Sequence, residues 1–87
     1  MKKIAYFVKN FSNLPKEELS PSYIFVLGQI VQIPDTLNSQ QIRFSTAENV
    51  QRMLIPGFFD EIYADFNSNI DLTPFVKNKS NLYKLGA

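Results

Sequence analysis

The sequence predicts an α+β domain: a small, mostly antiparallel sheet of three or four strands, packed on one face by a Pro-kinked helix pair. Three features carry that expectation. An apolar run, Tyr23 to Ile33, sits between Pro21 and Pro34. The tetrapeptide Ser45-Thr46-Ala47-Glu48 has the form of a capping box opening a helix. Pro56-Gly57 then interrupts the helix-periodic stretch that follows. With 87 residues and no break in composition, residues 1–87 are expected to form a single domain.

The elements follow in order. Residues 3–9 (Lys-Ile-Ala-Tyr-Phe-Val-Lys) read as a strand that is apolar on both faces and bounded by lysines. Asn10 to Ser22 reads as a loop crossing the domain, with a helix-like turn at Lys16-Glu17-Glu18-Leu19. In the run 23–33, Tyr23, Phe25, Leu27, Val31 and Ile33 fall on one face, and Ile24, Val26 and Ile30 on the other. This pattern places the run in the centre of a sheet or at an interface. Gly28 in its middle points to a bulge or a close backbone approach.

Gln41 to Phe44 is expected to pair back on that run as an antiparallel hairpin. A first helix, 46–54, then carries the stripe Ala47, Val50, Met53 and Leu54. Proline is disfavoured in a helix interior by about 3 kcal/mol, so a second helix, 57–66, begins at Pro56. Phe58, Ile62 and Phe66 share one side of that helix, with Phe59 and Tyr63 beside them, and Asn67-Ser68-Asn69 closes it. The tail from Ile70 onward is expected to add an edge strand and an irregular end.

Composition narrows function by exclusion. The chain has no His, Cys or Trp. That removes Ser–His and Cys–His nucleophile pairs, disulfides and the usual zinc ligands. Three scattered glycines supply no phosphate-cradling loop. No catalytic residue, metal ligand or cofactor site is expected, and the chain reads as a non-enzyme. Stability must come from apolar packing or from association, and eight Phe with four Tyr make a homodimer the expected state.

Met1-Lys2-Lys3 opens like a secretory signal, but the apolar stretch Ile4 to Val8 is too short and no cleavage site follows. The run 23–33 holds Gly28, Gln29 and Gln32 and is too short to span a bilayer, so a cytoplasmic protein with no membrane contact is expected. Eight Asn and five Gln, with many Lys and Ile, point to an AT-rich genome such as that of a phage or mobile element.

Two contact surfaces are foreseen. Asp60, Glu61 and Asp65 form the densest charged group, and Phe59 and Tyr63 are rings in excess of what one helical stripe can bury. Together these five residues are the expected surface for a macromolecular partner, through the helix pair and its acidic rim. The alternative is single-stranded nucleic acid, bound by Lys2, Lys3, Lys9, Lys77, Lys79, Tyr83 and Lys84, where charge and rings interleave at both ends of the chain. A net charge of +1 weighs against electrostatic capture of a polyanion. The chain is thus read as a small self-associating interaction protein.

Overall fold

The computed structural model describes residues 2–14, 22–28, 30–37, 41–53, 55–65 and 71–85, without the side chains of Thr36, Ala47 and Met53. Ile4–Val8 (β1) forms the middle of a five-stranded sheet. Its last four residues are all buried, as expected of a strand that is apolar at every position. Tyr23–Val26 (β2) and Gln41–Phe44 (β3) lie on one side of it. Glu61–Asp65 (β4) and Leu82–Leu85 (β5) lie on the other, giving the order β3-β2-β1-β4-β5. Every pairing is parallel.

This corrects the antiparallel sheet and the hairpin. β2 and β3 are neighbours, but they run the same way, with Tyr23 opposite Gln41 and Val26 opposite Phe44. Two-residue turns join antiparallel strands, whereas a parallel pair needs a connection of a dozen or more residues, as residues 27–40 provide. Strands apolar on both faces are themselves the mark of a parallel sheet covered on both sides.

The helix pair is also corrected. One α-helix, Ala47–Met53 (α1), is present among the described residues, and the expected second helix is β4. Pro56-Gly57 forms a turn instead of a helix start. The Phe58 amide donates to the Ile55 carbonyl at 3.2 Å, and Gly57 holds φ = 67°. Proline followed by a glycine at positive φ is the chemistry of a type II turn, and that angle is incompatible with a helix. Phe59 then bridges Val76 in parallel fashion, and the chain enters β4 extended. α+β therefore gives way to a parallel sheet whose connections, among the described residues, hold one short α-helix and single 3-10 turns. The α1 cap also shifts by one residue. Thr46 Oγ1, not Ser45, accepts the Asn49 amide at 3.2 Å. Leu54, Phe66, the 67–69 cap and the 16–19 turn lie outside the described residues.

The chain covers the sheet on both faces. Leu14, Phe11 and Leu37, from the β1–β2 and β2–β3 connections, pack with Tyr6, Val8, Ile24 and Val26 on one face. Val50 of α1, Phe59, Leu72, Phe75 and Val76, from the later connections, pack with Ala5, Phe7 and Ile62 on the other. Strand order explains the switch. β1 to β3 steps one way across the sheet and β4 to β5 the other, so crossovers of a single hand must use opposite faces. Burial of a ring or branched aliphatic side chain is worth about 1.5–3 kcal/mol. Phe7, Phe59, Ile24, Ile62, Val8 and Val26, all essentially inaccessible, are the centre of that stabilisation.

Candidate interaction surfaces

β4 separates the acidic group. Asp60 and Glu61 stand at its amino end and Asp65 at its carboxyl end. Asp60 accepts the Lys3 amide at 2.8 Å and pairs with Lys77 Nζ at 3.2 Å. The Lys3 backbone amide and the Lys77 ammonium together hold its carboxyl below the usual range. Glu61 Oε2 pairs with Lys2 Nζ at 3.0 Å, while Oε1 accepts the Tyr63 hydroxyl at 2.9 Å. These two contacts, the lysine first, lower its pKa as well. Lys3 places its ammonium 4.2 Å from the Phe58 ring centre, a cation–π contact. The basic terminus and the acidic stretch thus interdigitate at the amino ends of β1 and β4, where they neutralise each other.

Asp65 is buried and accepts from Asn13 Nδ2. The pair sits where β1 and β4 end side by side, the point at which the strand order reverses. Close by, Gly28 lies against the end of β1. A β-carbon built on it would stand 2.5 Å from the Lys9 carbonyl oxygen, so only glycine fits there. The close backbone approach read from the sequence is present, although β2 itself ends at Val26.

The rings of the 58–63 stretch divide between the two faces. Phe59 is 1% exposed and meets Phe7, Tyr23, Phe25 and Phe58 edge-on. Tyr63 points to the opposite face, stacked between Tyr6 at 5.0 Å and Tyr83 at 4.9 Å. The surplus of rings inferred for one helical stripe disappears because the alternation breaks between them: the Asp60 and Glu61 amides both donate to the Lys3 carbonyl, and this bulge puts Tyr63 on the face opposite Phe59. Burial, aided by the Glu61 carboxylate, pushes the Tyr63 phenol up to about 12.

One row of side chains, Ile42, Ile24, Tyr6, Tyr63 and Tyr83, crosses all five strands in register. It is deeply covered at Ile24 and opens outward until Tyr83, on β5, is 40% exposed. Of the proposed nucleic-acid residues, Lys2, Lys3 and Lys77 meet around Asp60 and Glu61, and Lys9 follows the far end of β1. Lys79 precedes β5, and Tyr83 and Lys84 lie on it. The seven do not share one surface.

A further surface, outside both predicted contact sets, is apolar and lies in the run that the sequence places in a sheet centre or at an interface. Beyond Val26 the run continues into Ile30, Val31 and Ile33, which belong to no strand and are 81%, 50% and 38% exposed. The signal was in the sequence: hydrophobic residues on both sides of Gly28, of which β2 uses only the first half. No helix among the described residues is long and apolar enough to cross a membrane. No protein-family model matches the chain, and no curated protein or solved structure matches it either.

Proposed function

We propose that this chain is a non-enzymatic interaction module that associates with itself through the segment Ile30–Ile33. The observation that carries this reading is the three large apolar side chains exposed within four residues. Apolar patches of that kind mark contact surfaces. No charged residue lies between Leu19 and Pro34, so a second copy meets no like charge there. The same lack of charge offers nothing to a nucleic-acid backbone. The pairing of Lys2 and Lys77 with carboxylates weakens the polyanion reading further.

Light scattering at tens of micromolar tests the proposal. The wild type is expected to exceed the single-chain 10.0 kDa. Val31→Asp, which places a charge on the contact, is expected to return the mass to one chain with its circular dichroism unchanged. A wild type that stays at one chain overturns the proposal. Retention of single-stranded DNA at low salt, lost in a Lys77, Lys79 and Lys84→Gln variant, would put the nucleic-acid reading in its place.

A further inference from the structure

The large apolar side chains exposed among the described residues are few: Ile30, Val31 and Ile33 in one segment, Ile55, and Tyr83. Tyr83 is on β5, whose only strand neighbour among the described residues is β4. An edge strand presents unpaired backbone groups that template the addition of another chain. We propose that residues Ile30–Ile33 of one copy add to β5 of the next as a sixth, parallel strand. The inference rests on the self-association reading above and names the surface that receives the segment.

Residue chemistry sets the register. In parallel alignment Ile30 faces Leu82, Val31 faces Tyr83, Gln32 faces Lys84 and Ile33 faces Leu85. Apolar residues then meet apolar ones, and the one polar residue of the segment meets the one charge of the strand. A slip of one residue in either direction sets Lys84 against Ile33 or Val31. An antiparallel alignment over the same four residues sets Val31 against Lys84 and Gln32 against Tyr83. A register slip also turns every side chain to the other face, so the match selects a single pairing. Val31 in this alignment prolongs the row Ile42, Ile24, Tyr6, Tyr63 and Tyr83, and an aromatic beside a β-branched residue is a favoured cross-strand pair. The opposite edge, β3, fits less well. The side chains it exposes are Gln41 and Arg43, both polar, where β5 exposes Tyr83 beside Lys84.

The donor segment is held away from its own β5. Gly28 is seated beside the Lys9 carbonyl, and Leu37 packs against the cluster of Tyr6, Val8 and Ile24. Gly28 is thus fixed at the end of β1, and β4 stands between β1 and β5. The pairing therefore joins two copies head to tail, and one copy keeps its acceptor unused while the other keeps its donor. Such contacts close into a ring, of which the reciprocal pair is the smallest, or grow as a filament.

Hydrogen exchange of the wild type, compared between dilute and concentrated solution, reads both surfaces without a mutation. Concentration is expected to slow exchange at 30–33 and at 82–85 together. Slowing at 30–33 alone overturns the inference and leaves self-association standing. Slowing at 82–85 alone means edge strands pairing with each other and overturns it too. No mass above one chain and no slowing at either site removes both readings.

A mixing experiment adds a second arm. Val31→Asp loses the donor and keeps the acceptor, and Tyr83→Asp does the reverse. Each alone is expected at 10.0 kDa, and the mixture at twice that mass, capped as a pair. A Tyr83→Asp variant that still assembles alone, or a mixture of two folded variants that stays at one chain, overturns the pairing.

Discussion

Ile24 and Ile30 belong to one apolar run and have the same side chain, yet the first is 0% exposed and the second 81%. Six residues separate them. Ile24 sits on β2, next to the central strand and opposite Tyr6, with the β1–β2 connection lying over it. Ile30 follows Gly28, where the chain leaves the sheet after passing close to the end of β1. Hydropathy is therefore a demand for burial, and the fold meets it inside the chain for one half of the run. The other half it leaves exposed, and that half is the contact proposed for a second copy.

Breaking the buried half should have the largest effect. Ile24→Ala is expected to cost about 2–5 kcal/mol in chemical denaturation, because it removes three heavy atoms from a packed site and leaves a cavity. Domains of this size have little more than that in total, so a loss below about 1 kcal/mol would mean that β2 is not the covered strand described here. Gly28→Ala tests the point where the two halves part. The Lys9 carbonyl must move to admit a methyl group, and forced repacking of this kind costs about 1–3 kcal/mol. A neutral Gly28→Ala would show that the chain can leave the sheet by another path.

The tyrosine row sharpens the comparison by titration. The Tyr63 phenol, pushed up to about 12, should appear as a late step when tyrosinate absorbance is followed to high pH. Tyr63→Phe should remove that late step. Its folded pKa lies above the ordinary 10.0, so the stability linked to it is complete below pH 10 and is lost as pH rises toward 12. Asp60 and Glu61 act with the opposite sign. Their folded pKa values lie below the ordinary 3.8 and 4.5, so their contribution is present above those values and is lost as pH falls through the folded ones. Asp60→Asn with Glu61→Gln should flatten the acid limb of the stability curve and, because the Glu61 carboxylate helps raise the Tyr63 phenol, shrink the Tyr63→Phe difference at high pH.

The smallest effect on stability belongs to the exposed half. Ile30→Ala is expected to stay within about 0.5 kcal/mol of wild type while still weakening assembly in light scattering. A loss of stability as large as that of Ile24→Ala would mean that Ile30 is covered within the single chain.

Much of the strand content was legible. β1 is apolar at every position, and a short apolar stretch bounded by lysines has few other solutions. Gly28 announced a close approach because nothing else in an apolar run asks for a residue without a side chain. The 58–66 stretch was ambiguous on its own terms. Phe58, Ile62 and Phe66 fit the helical period, while Ile62 and Ala64 alternating with Glu61, Tyr63 and Asp65 fit the period of two. Gly57, at φ = 67°, together with the bridge to Val76, favours the strand. The helix reading then misjudged which rings were in excess, since it had one core to fill and the sheet has two.

By itself the sequence determined which segments are apolar enough to be buried, where proline and glycine stop them, and which catalytic chemistries are out of reach without His or Cys. Only the tertiary structure decided that the strands run parallel, that Phe59 and Tyr63 serve opposite cores, and that Ile24 is covered while Ile30 is not. The reason is that side-chain periodicity is a local property, whereas strand direction and burial depend on where each connection crosses the sheet. Crossing is settled by contacts between residues far apart in the chain, such as Phe59 with Val76 and Lys3 with Asp60.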